Sequence, residues 1–217
     1  MTKLLHRIYR ILLEEYGYRH KWYGDTADEI IIGAILTQNT NWANVEKALA
    51  NLRNRNLISL EKLAIIKPDE LAPIIRPSGY HNQKALRLIS TAQALTADVL
   101  PSDPDELRRF LLSLKGLGPE TADCIMLYAY GIPIFVIDAY TIRIFSRLGL
   151  CRENVKYRQL QDWFMQHLER DVSLYSEFHA LLIKLAKTAC LKKPKCSLCP
   201  LQEFCAFALN SSQEVYL

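Results

Sequence analysis

The sequence predicts an all-α fold, and three observations support this. Apolar residues recur at three- and four-residue spacing along most of the 217 residues. Proline and glycine fall between the periodic stretches, where helices must end. No stretch shows the sustained two-residue alternation that is typical of a strand. With 50% hydrophobic residues, the chain can bury the core of one large domain or two small ones.

Each predicted helix is an apolar-periodic segment, and the later ones are separated by clear breakers. The segments are 4–13, 27–36, 42–52, 60–66, 69–75, 83–94, 105–114, 121–130, 139–148, 157–168 and 175–188. Breakers lie at Pro68, at 77–79, at 101–104, at 116–119 and at 131–133. No repeat or flexible linker marks a domain border.

Charge and hydropathy restrict the classes of partner. The net charge of +4 is mild, so a nucleic-acid surface has to be local. A lysine cluster without an intervening acid offers such a surface, and its alternative is a solvated basic tail. The cluster consists of Lys184, Lys187, Lys192, Lys193 and Lys195. No apolar run reaches the length of a membrane span without a charge, so we expect no membrane partner.

A Gly-x-Gly-Pro turn joins the predicted helices 105–114 and 121–130. Gly116 and Gly118 can adopt a positive φ, and Pro119 suits the first turn of a helix. Helix, tight turn and helix in this order expose backbone N–H groups to an anion such as a DNA phosphate. Lys115 and Thr121 complete the candidate DNA-binding turn. The alternative is an ordinary corner between two helices.

Four cysteines near the C-terminus have the spacing of a metal site. Cys190, Cys196, Cys199 and Cys205 form C-x5-C-x2-C-x5-C. Four thiolates within sixteen residues suit a [4Fe-4S] cluster or a tetrahedral zinc ion. Disulfides are the alternative, but no signal peptide is evident, so we expect a cytoplasmic chain with reduced thiols.

A carboxylate, Asp138, follows the glycine turn, eighteen residues after Glu120. It is a candidate general base. The hairpin, Asp138 and the cysteine loop, in this order, resemble the endonuclease III superfamily of helix-hairpin-helix DNA glycosylases. The resemblance covers about residues 23–205, and the first cysteine gap is one residue shorter than usual. The motifs that carry it are GAILTQNT, SGYHNQKA, LKGLGPETAD and VIDAYTIRIFSRLGL.

The resemblance implies two helical domains with a catalytic cleft between them. One is a six-helix barrel module over residues 22–133, with the hairpin at about 106–130. The other combines 1–21 with 134–217 and ends in the cysteine loop 190–205. Asp138 is then expected on the lip of the cleft, and the four cysteines are expected to hold a [4Fe-4S] cluster, with zinc as the alternative.

Glu120 departs from one branch of the superfamily. Where both the glycosidic bond and the DNA backbone are cleaved, a lysine at this place forms a Schiff base with the sugar. A carboxylate cannot, so the chain resembles the monofunctional branch, and most closely the bacterial 3-methyladenine glycosylases. Asp138 is then expected to orient water and stabilise the sugar cation. Glu120 is interpreted as a water-orienting residue or as a polar residue at a helix start.

Such an enzyme must flip its base out of the duplex. The resemblance implies that Gln38 fills the resulting gap, with a helix cap as the alternative. It implies that Tyr80 is the wedge beside the opposite strand, with an ordinary loop aromatic as the alternative. An alkylated purine stacks on electron-rich rings, which makes Trp22, Tyr23 and Trp42 pocket candidates, with the core as the alternative for Trp42. Lys187 is expected to face either the cleft or the solvent. His179 is expected to be a structural histidine and not a ligand.

The sequence thus predicts a monomeric enzyme that acts on damaged, double-stranded DNA at the nucleoid. Two other functions remain open. One is a bifunctional glycosylase and AP lyase for oxidised pyrimidines, in which Lys115 or the N-terminal amine replaces the missing lysine. The other is a non-catalytic DNA-binding protein with a metal cluster.

Overall fold

The computed structural model describes residues 1–19, 24–97 and 99–213, with side chains through residue 210. The described ranges are helical and contain no strand, so the all-α prediction is confirmed. None of their helices has both the length and the apolar character needed to cross a bilayer. The α-helices are α1 Thr2–Tyr16, α2 Ala27–Leu36, α3 Trp42–Arg53, α4 Leu60–Ile65, α5 Pro68–Ile74, α6 His81–Ala97, α7 Pro104–Ser113, α8 Pro119–Cys124, α9 Ala139–Arg147, α10 Tyr157–His167, α11 Val172–Thr188 and α12 Ala206–Gln213.

The chain divides into two compact units: Trp22–Ile132, and Met1–Lys21 together with Pro133–Leu217. In the first unit, α2 is the central helix, because every residue from Glu29 to Leu36 is buried. It packs against α3, α6, α8 and the π-helical turn Ile125–Ala129 that continues α8. Burial on all sides explains why its sequence is apolar around the whole helix.

In the second unit, an aromatic cluster fixes the segment that leads to α9. Phe135 stacks on Phe164 with ring centroids 4.0 Å apart, and its ring meets the edges of Tyr175 and Phe178. All four rings are fully buried. Because Phe135 lies three residues before Asp138, this packing determines where α9 begins.

The helix boundaries differ from prediction where a cap decides them. Helix α11 begins at Val172, because the Asp171 carboxylate accepts a hydrogen bond from Leu174 N at 2.6 Å. The predicted helix 121–130 begins at Pro119 and becomes π-helical at Ile125. Helix α12 was not predicted, because its eight residues lack apolar periodicity.

Candidate active site

Asp138 is the N-cap of α9. Its Oδ1 accepts hydrogen bonds from Thr141 N at 2.7 Å and from Thr141 Oγ1 at 2.8 Å. Only 8% of Asp138 is exposed. A carboxylate at this position satisfies helix N–H groups that would otherwise be unpaired, and the helix dipole stabilises its charge. The helix start therefore fixes one oxygen and leaves Oδ2 to other partners.

The partner of Oδ2 is His179 on α11, whose Nε2 lies 3.6 Å away. Burial by itself raises the pKa of Asp138, but the His179 side chain and the two Thr141 donors outweigh it and hold the pKa below its ordinary value. The carboxylate is therefore ionised at neutral pH. The pair was not predictable from the sequence, because forty-one positions separate the two residues. A polar ring on an otherwise apolar helix was the only signal.

Glu120 lies in the first turn of α8 and is exposed. The neighbouring Thr121 is buried, so the chain turns one side chain inward and leaves the other at the surface. At this place a carboxylate is favoured by the positive end of the helix dipole. The position of Glu120 is thus compatible with both roles expected for it.

The hairpin has two glycines with different structural demands. Gly116 has φ 93°, and a Cβ there would approach Arg87 Nε to 2.5 Å, so both the backbone and the packing require glycine. Gly118 has φ −90°, and a Cβ there would meet nothing within 4 Å. Across the hairpin, Arg108 on α7 forms a buried ion pair with Asp123 on α8, with Nε and Oδ1 2.7 Å apart.

Gln38 is tied to this hairpin. Its Nε2 donates to Gly116 O at 3.1 Å and to Thr121 Oγ1 at 3.0 Å, and its Oε1 accepts from Arg87 Nη1 at 2.7 Å. It does not cap the following helix, because Asn41 caps α3. Two of the predicted DNA-binding elements therefore meet in the structure, through a contact that the sequence did not reveal.

Tyr80 has a strained backbone and an exposed ring. Its φ is 47°, which side-chain-bearing residues rarely adopt, and 66% of the residue is exposed. Lys115 is also exposed, beside the hairpin turn. Of the three pocket candidates, Trp42 is the half-buried first residue of α3, while Trp22 and Tyr23 lie outside the described residues.

The cysteine loop is attached to the last turn of α9. Arg147 Nη1 lies 3.3 Å from Cys190 Sγ, and Cys205 Sγ donates to Arg147 O at 3.4 Å. All six cysteines are free, and Lys187 is exposed on the last turn of α11. Burial, reinforced by the three neighbouring thiols, raises the pKa of Cys199 to about 11.

The four thiols therefore lie within electrostatic reach of one another, and their chemistry fits a metal cluster. Within the described ranges, however, no three His, Cys, Asp or Glu side chains have the arrangement of a metal-ligand set.

Comparison with known proteins identifies the family. Residues 32–170 match the HhH-GPD superfamily base excision DNA repair proteins. The chain is 42% identical to a candidate DNA repair glycosylase of Methanocaldococcus jannaschii, over 94% of this chain and 96% of the relative. It is 30% identical to the Helicobacter pylori 3-methyladenine DNA glycosylase MagIII, solved with bound 1,N6-ethenoadenine; the TM-score is 0.73, covering 86% of this chain and 96% of MagIII.

The fold also matches endonuclease III in a non-covalent DNA complex. The TM-score is 0.84 over 98% of this chain and 99% of that one, at 21% identity. The chain therefore belongs to the HhH-GPD superfamily of base excision DNA repair proteins, and it is a DNA glycosylase with the helical fold of endonuclease III.

Proposed function

We propose that this DNA glycosylase is monofunctional and hydrolyses the N-glycosidic bond of an alkylated purine, such as 3-methyladenine, in damaged double-stranded DNA. The observation that carries the proposal is Asp138: a buried, ionised carboxylate with Oδ1 fixed by Thr141 and Oδ2 beside His179. The substrate class is supported by the similarity to MagIII, which binds an alkylated adenine.

The reaction needs little from an acid on the leaving group. A purine alkylated on a ring nitrogen is cationic and departs readily, so positive charge develops on the sugar. A fixed carboxylate stabilises that charge and orients the attacking water. The lowered pKa of Asp138 makes it a weak base, which favours charge stabilisation over complete proton removal. His179 keeps Oδ2 in place while this occurs.

We propose that the chain lacks AP-lyase activity, and the groups at two positions support this. Glu120 cannot form a Schiff base. Lys84 is buried, and its Nζ is hydrogen-bonded to two carbonyl oxygens, so it is not available to a sugar. Lys115 is exposed beside the turn and is the amine on which a bifunctional reaction would depend.

The hairpin and two loops are proposed to hold the distorted DNA. Gly118 has an ordinary φ and open space where a Cβ would be, so the fold itself does not require glycine there; a close phosphate would. Lys115, Gly116 and Thr121 complete this contact. Gln38 is proposed to fill the gap left by the flipped base. Further contacts are proposed for Tyr80 as the wedge, Lys187 at the backbone and Trp42 in the base pocket, together with Trp22 and Tyr23.

The four cysteines are proposed to hold a [4Fe-4S] cluster, with zinc as the alternative. Their thiols are free, and four thiolates at this spacing suit either metal centre. When bound, the metal centre organises a short loop that buries too little apolar surface to fold alone. Visible absorption together with iron and zinc analysis of the purified protein distinguishes the two.

The decisive experiment is mass spectrometry of bases released from DNA with mixed alkylation, deamination and oxidation damage. We expect methylated purines from the wild-type chain and none from Asp138→Asn, with DNA binding retained. Borohydride should trap no covalent adduct. An adduct would establish the bifunctional alternative, and binding without any released base would establish the non-catalytic one.

A further inference from the structure

Lys84 on α6 is one of the most completely buried side chains of the Trp22–Ile132 unit, with 1% exposed. Its Nζ donates to Leu36 O and to Ser78 O, each at 2.7 Å. Burial, with a smaller effect from the Arg87 charge, lowers the pKa of Lys84 to about 8. A buried ammonium group is costly unless hydrogen bonds compensate for its lost hydration. The position therefore demands an explanation.

The two carbonyl acceptors lie next to the two loops that the proposed function assigns to DNA distortion. Leu36 is the last residue of α2, two positions before Gln38. Ser78 ends a short 3-10 turn, two positions before Tyr80. Both acceptors are fully buried, whereas Gln38 is partly and Tyr80 largely exposed. One ammonium group thus joins the last buried residue before each loop.

Tyr80 lies directly before α6, and its carbonyl oxygen accepts the first hydrogen bond of that helix, from Lys84 N at 2.9 Å. Each loop contains a side-chain-bearing residue with positive φ: Asn39 at 55° and Tyr80 at 47°. Such conformations persist only where the surrounding structure enforces them. The Lys84 ammonium group binds the chain a few residues before each of these positions.

We propose that Lys84 is a positioning residue that couples the Gln38 loop to the Tyr80 loop, so that both side chains enter DNA as one unit. The inference rests on the proposed function, because it assigns both loops to base flipping. A purely structural lysine would stabilise the unit and leave the two loops independent. Coupling and stability can be measured separately.

The test is a double-mutant cycle on base unstacking. The probe is a duplex with an abasic-site analogue flanked by 2-aminopurine, whose fluorescence rises when its neighbours unstack; this readout does not depend on which damaged base is excised. Gln38→Ala, Tyr80→Ala and the double variant are compared in the wild-type background. We expect their effects to deviate from additivity by about threefold or more, as for groups in contact.

The same cycle is then repeated with Lys84 substituted. Lys84→Met removes both donors and should make the two effects additive, whereas Lys84→Arg keeps donors and should retain most of the coupling. Thr91→Ala is the matched control, because Thr91 is buried on the same helix and its hydroxyl makes no hydrogen bond, to either loop carbonyl or elsewhere, in the described structure. It should leave the coupling intact.

Additive effects in the wild-type background would overturn the inference even if Lys84→Met failed to fold. Coupling that survives in Lys84→Met, or that disappears in Thr91→Ala, would also overturn it. These outcomes leave the proposed function standing, provided that the wild-type chain unstacks the reporter. A wild-type chain that binds the duplex without unstacking it would overturn the proposed function and the coupling together.

Discussion

Asp138 and Glu120 are two acids at the starts of two helices, in different units of the molecule. The helix dipole favours negative charge at both places. Asp138 is buried, and both of its oxygens face fixed partners. Glu120 is exposed in the first turn of α8. Helix position alone therefore does not distinguish these two acids, whereas burial does.

The difference has a physical origin. A buried carboxylate has lost its water, so the protein must replace every hydrogen bond, and the replacements fix its geometry and its charge. An exposed carboxylate keeps its hydration and its rotamers. Preorganisation of this kind is what stabilisation of a developing cation requires. This contrast supports the proposal that Asp138 is the catalytic carboxylate and that Glu120 has a minor role.

The largest effect is expected from Asp138→Asn. Asparagine caps a helix about as well as aspartate, so folding should be preserved while the negative charge is lost. Single-turnover base release should fall about 10²- to 10³-fold, the range for removing one preorganised electrostatic group. Thermal unfolding and DNA affinity serve as controls. Unchanged turnover would show that Asp138 is not the catalytic carboxylate.

A smaller loss is expected from His179→Leu. Nε2 lies 3.6 Å from Asp138 Oδ2, which is the distance of an ion pair and longer than a hydrogen bond, so base release should fall only about 10-fold. His179→Gln is the matched control, because its side-chain amide can donate near the position of Nε2 and should restore much of the rate. Equal losses in the two variants, after correction for stability, would contradict a positioning role.

The lowered pKa of Asp138 also predicts how stability depends on pH. Its folded-state pKa is depressed, so it contributes stability that is present above the unfolded pKa of 3.8 and is lost as pH falls through the folded value. Wild type should therefore lose more stability than Asp138→Asn as the pH drops below about 4. Urea unfolding across this range measures it, and parallel curves would mean that the carboxylate is not held ionised.

Glu120→Lys tests whether position 120 faces the sugar of the bound DNA. It restores an amine at the position where the bifunctional branch has one, in a turn where the side chain is exposed. Borohydride should then trap a DNA adduct that the wild-type chain does not form. Glu120→Arg is the control for positive charge without a Schiff base. No adduct with lysine would show that position 120 does not face the sugar.

The smallest effect is expected from Glu120→Gln. The exposed carboxylate contributes about 0.3–1 kcal/mol to helix stability through the dipole, and its removal should change base release by less than about threefold. The same single-turnover assay measures this change. A loss comparable to that of Asp138→Asn would assign Glu120 to water activation and remove the contrast between the two acids.

Local patterns predicted the helices well because the start and end of a helix depend on residues that are neighbours in the sequence. The glycine turn before Pro119 and the start of α9 after Asp138 are examples. The contacts of Asp138 with His179, and of Gln38 with Arg87, were not predictable, since each joins residues more than forty positions apart. The carbonyl partners of Lys84 were missed for a different reason. Every residue has a backbone carbonyl oxygen, so the sequence does not indicate which of them accepts a hydrogen bond.

Helix α9 has Asp138 at one end and the arginine that holds the cysteine loop at the other. Its nine residues form a rod about 14 Å long. A rod of this length is too short to bend appreciably, so a displacement of its last turn is transmitted to its first. A change in the bonding of the four thiols would then alter the position of the Asp138 carboxylate, although the thiols and the carboxylate do not touch.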